Sequence, residues 1–196
     1  FSHWPDPTVT HEETLGAYDT LIKAGKVRSI GCSNYDAGLI REALDVSARS
    51  GLPRYEVVQP EYNLYARDGF EGPLRDLVIA EGLGVISYYA LASGFLTGKY
   101  RSAADSDKSA RGGSVTSRFL NARGIAILGA LDLVAAKHGA ALSEVALAWI
   151  MAKPGITAPI ASATSLDQVE SLIRAVTLQL DEEDISMLDK AGVKLT

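Results

Sequence analysis

Ser33 and Asn34 close the run Gly25-Lys26-Val27-Arg28-Ser29-Ile30-Gly31-Cys32-Ser33-Asn34, and their type and place point to ligand contact. The run reads as a helix stop, a short buried strand, and two small polar side chains delivered at the strand's carboxyl end. In a parallel α/β protein ligands are met at that end, because the loops leaving it carry the site. Helix capping is the competing use of Ser and Asn after a strand. Cys32, the single cysteine, has no partner for an internal disulfide and reads as a small buried residue. His11 and His138 lack the partner spacing of a metal site, and no Cys, His and carboxylate cluster suggests zinc. No G-x-G-x-x-G or P-loop pattern occurs.

Composition narrows the partners. The 196 residues are 47% hydrophobic and 22% charged, with 18 glycines and a formal net charge of -5, the balance of an ordinary globular domain. An acidic chain without a Lys/Arg run has no electrostatic footprint for nucleic acid or an anionic membrane surface. No stretch approaches about 18 consecutive apolar residues, and no basic and apolar leader opens the chain, so neither a membrane span nor a signal peptide is expected. One cysteine fits a reducing compartment, and a cytoplasmic location is expected.

The elements that must hold Ser33 and Asn34 follow from periodicity and stop signals. Phe1 to Pro7 reads as the end of a strand breaking into a turn. Thr10 and Glu13 have capping-box spacing, Leu15, Tyr18, Leu21 and Ile22 share a face, and Gly25 stops the helix, which predicts a helix over 10–24. Val27 to Gly31 is the next strand, followed by a helix through Ala48 that Gly51 ends. Tyr55 to Gln59 and Gly84 to Ser87 are further strands, separated by a helix around Leu74 to Ala80. The strand regions start at 27, 55 and 83, roughly 28 residues apart each time, an interval suited to βαβ units and a parallel sheet. Residues 101–118 are polar and aperiodic and read as a long mobile loop. Helices are expected near 121–138, with Ile125, Leu128, Leu131 and Val134 inward, and near 143–152, with Ser143 as cap and Trp149 in the core. Ile156 to Ile160 is the last strand. Ser165 and Gln168 cap a helix bearing Val169, Leu172, Ile173 and Val176, and Asp181 with Asp184 opens a short closing helix. No linker or repeat divides the chain.

Five strands of a singly wound series fall short of the eight in a (β/α)₈ barrel, and an open doubly wound sheet is the alternative. Taken in order, however, five segments resemble the aldo-keto reductase family. They are Ser2-His3-Trp4-Pro5, the Gly25 to Asn34 run, Gln59-Pro60-Glu61-Tyr62-Asn63, Ile86 to Tyr100, and Pro159-Ile160-Ala161-Ser162-Ala163-Thr164-Ser165. The resemblance runs from Phe1 to about Asp189. It implies a (β/α)₈ TIM barrel, of which this chain supplies about strands 4 to 8 with their helices, so that residues 1–196 are the C-terminal part of a single barrel domain.

By that resemblance, His3 is the catalytic histidine, while the family's aspartate, tyrosine and lysine would lie upstream of Phe1. Ser33, Asn34 and Gln59 look like the set that binds the nicotinamide carboxamide, and Tyr88 like the tyrosine that stacks on the ring. Leu91 and Ser93 look like the pyrophosphate wall, although Tyr89-Ala90 replaces the family's usual Ser-Pro. Ser162, Thr164, Ser165 and Gln168 match the segment that holds the adenosine phosphate. Many members place Lys and Arg there, and Arg174 or Arg101 is expected to compensate. Trp4 and Tyr65 would face substrate. The resemblance implies NADP(H), with NAD(H) possible, and reduction of small aldehydes or ketones by hydride transfer; the alternative is a cofactor-binding regulatory or interaction protein with little turnover. The isolated chain is expected to be inactive and poorly stable, and a companion segment supplying the first barrel strands is expected.

Overall fold

The computed structural model describes residues 1–193. Thr10 caps the first helix, α1 (His11–Lys23), through the reciprocal bonds its spacing with Glu13 requires. The strand that follows, β1, covers Ile30–Ser33, three residues later than Val27–Gly31. The charged Lys26 and Arg28 stay out of the ladder, and Ser33 is its last rung. Helix α2 (Ala37–Ser50) is capped by Asp36 and ends on Gly51 at φ 63°, and β2 (Tyr55–Gln59) pairs parallel to β1. Helix α3 (Pro73–Glu81) and β3 (Gly84–Ser87) repeat the unit, and β3 pairs parallel to β2.

Residues 101–118 are not a loop. Tight 3-10 segments at Ala92–Thr97 and Ala103–Lys108 lead into α4 (Gly112–Phe119). Asp105 organises the turn: its carboxylate accepts the N–H groups of Arg101 and Ser102 at 2.8 Å each and pairs with Lys108 at 2.7 Å. Val115 and Phe119, one helical turn apart, bury the inner edge of α4. Gly112 permits the packing, since a Cβ there would lie 1.9 Å from the carbonyl oxygen of Ser106.

Helix α5 (Ala122–His138) turns Ile127, Leu128, Leu131 and Val134 inward, whereas Ile125 is 57% exposed. Asn121 caps this helix by accepting the Gly124 N–H, and Ile127 takes the inward place expected of Ile125. Helix α6 (Leu142–Met151) is buried from Glu144 to Ile150 and forms the centre of the molecule. Its cap position is Ala141, whose N–H is satisfied by Glu144, while the Ser143 hydroxyl turns to Ser171. The last strand, β4, is only Ala158–Pro159, flanked by main-chain bonds from the Thr157 N–H to the Val85 carbonyl and from the Ile160 N–H to the Ser87 carbonyl, while the Thr157 hydroxyl accepts the Val85 N–H. Helix α7 (Leu166–Thr177) and α8 (Glu182–Ala191) complete the described chain.

The sheet runs β1-β2-β3-β4 in sequential, all-parallel order, and Ser2 adds a parallel bridge to Cys32 outside β1. The (β/α)-type arc therefore keeps Ser33, Gln59 and the residues after Ser87 at one end. Helix α6 packs on α7, and α5 on α8. Trp149 anchors this side: it is fully buried, stacked on Tyr62 at 5.4 Å, and its indole N–H donates to Asp189 at 2.9 Å. On α7, by contrast, Leu166, Val169, Ile173 and Val176 are exposed, so its apolar stripe is uncovered among the described residues. No single helix among those residues is long and apolar enough to cross a membrane.

Candidate functional site

Parallel pairing brings Ser33 opposite Gln59, and the next bridge sets Glu61 against Tyr88. These ladder positions gather Ser33, Asn34, Gln59 and Tyr88 from three strand ends. The Ser33 hydroxyl donates to the Gln59 carbonyl at 2.7 Å. Asn34 leaves the strand at φ 61°, a left-handed conformation that Asn tolerates better than most residues. That turn aims its side chain back across the strand ends. Its amide nitrogen donates to the His3 carbonyl at 2.7 Å and to the Ser33 hydroxyl at 3.2 Å, and its oxygen accepts the Tyr88 hydroxyl at 2.7 Å. The Gln59 side-chain amide makes no hydrogen bond with the described residues and stays available.

Burial raises the Tyr88 hydroxyl pKa, with the nearby Glu61 carboxylate and Tyr89 adding to the effect, so Tyr88 is a donor at neutral pH. Its ring meets Tyr89 edge-on at 5.2 Å between centroids. His3 is exposed beside Phe1, with ring centroids 6.2 Å apart. Its main chain, not its imidazole, is what Asn34 holds.

The backbone after Tyr88 is strained. Tyr89, Ala92 and Ser93 all have positive φ, followed by Gly94 at 88°, and non-glycine residues so placed cost on the order of 1–3 kcal/mol each. Strain of this kind concentrates where backbone is shaped for a ligand. Here Ser93 lines a cleft of about 230 Å³ with Tyr89, Arg111, Ser114 and Arg118. The lining carries three hydroxyls and two guanidinium groups, of which Arg118 is already paired with a carboxylate.

Three groups in this region were not assigned from sequence. Arg118 pairs with Glu61 at 3.1 Å, tying the end of α4 to the segment beside Tyr88. Asn63, fully buried, donates to the Tyr89 carbonyl at 2.9 Å and accepts from the N–H groups of Tyr65 and Ala66. Arg111 enters the cleft because α4 exists. The signal for Asn63 was its place in the Gln-Pro-Glu-Tyr-Asn run; Arg111 and Arg118 were hidden in the stretch read as a loop.

The remaining expected positions are spread out. Ser165 caps α7, and Gln168 turns its oxygen onto the Thr164 N–H at 2.8 Å and hydroxyl at 3.2 Å. Ser162 lies between β4 and that cap. Neither expected substitute cation is free. Arg174 is bound to Glu144, and Arg101 is bidentate on Asp132 at 2.7 Å for both bonds, which corrects the expectation that they compensate for missing basic residues. Trp4 is 73% exposed and, with Tyr35, His11 and Glu42, borders a separate cleft of about 650 Å³. Tyr65 packs edge-on against Phe119 at 4.9 Å and accepts from Asn121 at 2.7 Å, so it buttresses the corner between α4 and α5.

A sequential parallel α/β arc with polar side chains converging at its strand ends defines a (β/α)-barrel type of protein. A model described as the Aldo/keto reductase family matches residues 1–193, and the chain belongs to that family. It is 33% identical over 180 residues to a probable voltage-gated potassium channel subunit beta of Oryza sativa subsp. japonica, covering 90% of this chain and 55% of the relative. Protein tas of Escherichia coli K12 is 32% identical over 192 residues, covering 95% and 54% respectively. L-glyceraldehyde 3-phosphate reductase of Escherichia coli O157:H7 is 27% identical, covering 97% and 56%. The chain thus spans about half the length of the curated relatives it matches. A crystal structure of the thermostable aldo-keto reductase Tm1743 with the inhibitor epalrestat aligns with a TM-score of 0.71 at 26% identity, covering 97% of this chain and 58% of that one.

Proposed function

We propose that the chain carries the cofactor cradle of an NADP(H)-dependent aldo/keto reductase, with NAD(H) also accepted, that reduces small aldehydes or ketones in the cytoplasm. A companion segment supplies the first strands of the single barrel domain and the proton donor. The observation that carries this reading is the convergence of Ser33, Asn34, Gln59 and Tyr88 at the strand ends. An Asn oxygen with a spare lone pair and an unpaired Gln amide match the donor and acceptor of a nicotinamide carboxamide.

When bound, a dihydronicotinamide supplies the hydride. The chain's own residues do the rest of what is assigned to it. Asn34 and Gln59 would hold its carboxamide, and the Tyr88 ring would pack against it. The strained turn at Leu91 and Ser93 borders the pyrophosphate, and Ser162, Thr164, Ser165 and Gln168 present hydroxyls and an amide to the adenosine phosphate. His3 would donate to the substrate carbonyl oxygen, where negative charge grows during reduction.

Calorimetric titration of the purified chain with NADPH tests the cradle. Saturable binding is expected, weakened roughly tenfold by Gln59→Ala, the loss that follows from one or two hydrogen bonds. Mixed with NADPH and an aldehyde, the chain alone is expected to leave the dihydronicotinamide absorbance unchanged. Absence of binding overturns the cradle, and turnover by the chain alone overturns the need for an added proton donor.

A further inference from the structure

Residues 4–10 form a stiff arm that stands off α2, and the cleft of about 650 Å³ between them has the size of a small-molecule site. Pro5 and Pro7 restrict the backbone of the arm. Between them one oxygen of Asp6, Oδ1, accepts the Thr8 N–H at 2.9 Å and the Thr8 hydroxyl at 2.7 Å. Trp4 and Val9 from the arm, with Tyr35 and Leu39 from the approach to α2 and its first turn, give the cleft apolar and aromatic walls. Trp4 and Val9 are exposed there, on a surface whose apolar groups gain by being covered.

The charge on this lining has one sign. Asp6 and Glu42 contribute carboxylates, no described Lys or Arg borders the cleft, and His11 has its Nε2 3.9 Å from Glu42. The bonds from Thr8 hold the Asp6 carboxyl below its usual value, so it is charged at neutral pH, and its second oxygen takes no hydrogen bond among the described residues. A phosphate or carboxylate would meet repulsion here, whereas a cation gains from both carboxylates and from aromatic faces. We propose that the cleft binds a protonated organic amine carried on an apolar or aromatic body, with the amine toward Asp6 and Glu42 and the body against Trp4 and Tyr35. The site is independent of the nicotinamide cradle, since none of Asn34, Gln59 and Tyr88 borders it.

Phenethylamine, protonated at neutral pH, tests this by calorimetric titration of the chain beside its neutral and anionic analogues, 2-phenylethanol and phenylacetate. The amine is expected to bind about tenfold more tightly than the alcohol, and phenylacetate more weakly than either. Asp6→Asn keeps the acceptor that Thr8 uses, and Glu42→Gln removes a charge from a largely exposed side chain, so an unchanged urea midpoint is expected for both. Each is expected to weaken phenethylamine about threefold to fivefold and to leave 2-phenylethanol as before. Trp4→Leu keeps the wall apolar and is expected to weaken the amine more than the alcohol. Equal affinity for the three compounds, saturable binding of none, or a preference for the amine that is unchanged in both charge variants overturns the proposal. Competition between phenethylamine and NADPH would put the amine in the cradle and overturn it as well. So would a chain that sediments as a dimer and becomes a monomer in Trp4→Leu, because a second copy would then cover the cleft.

Discussion

Gly31 shows how little room the strand ends leave for change. A Cβ on this residue would stand 2.6 Å from the Val57 carbonyl oxygen and 2.5 Å from the Phe1 ring. Phe1 has a free edge and can yield, but the Val57 oxygen belongs to the β2 ladder and cannot move without loosening it. Gly31→Ala is therefore expected to destabilise the chain by about 1–3 kcal/mol, read as a lower midpoint in urea unfolding. Because Gly31 pairs across from Val57 and Ser33 from Gln59, the same variant disturbs the ladder that aligns the two polar groups. That Ser33 closes a buried strand, with Asn34 just beyond it, was legible from type and place alone. Their hydrogen-bond partners were not, because His3, Gln59 and Tyr88 are brought together only by the pairing of strand ends distant in sequence.

At the scale of elements, stop signals and caps carried most of the information. Thr10 with Glu13, Gly51 and Ser165 mark boundaries in the sequence as they do in the fold. Helix α4 escaped because two buried side chains, Val115 and Phe119, are all the periodicity an eight-residue helix displays, and its stability is tertiary. Helices α5 and α8 are joined by charge as well as by packing. The buried Asp184 would have its pKa raised by desolvation, but hydrogen bonds from Lys137 at 2.8 Å, His138 at 2.7 Å and the Asp181 N–H at 3.2 Å outweigh burial and hold it at about 2. Its folded value lies below the ordinary carboxyl range near pH 4, so its stabilisation is full above that range and lost as pH falls through about 2. Thermal unfolding between about pH 5 and pH 2 is expected to show a steeper fall in the midpoint for the native chain than for Asp184→Asn. Equal slopes would place the acid sensitivity elsewhere.

For the whole molecule, sequential parallel order follows from the even spacing of strand regions, and burial of α6 follows from its nearly continuous apolar run. The bare stripe on α7 did not follow, since periodicity identifies an apolar face without saying whether anything lies on it. Cys32 sits where these levels meet: it is fully buried in β1, bridged by Ser2 on one side and paired with Val58 on the other. Burial pushes its thiol up to about 12, so at ordinary pH it is neither ionised nor reachable. A thiol reagent is expected to modify the native chain far more slowly than the urea-unfolded one. The rate at which the label enters native protein then reports how often the sheet parts at β1, giving the chain an internal clock for its own opening that needs no engineered probe.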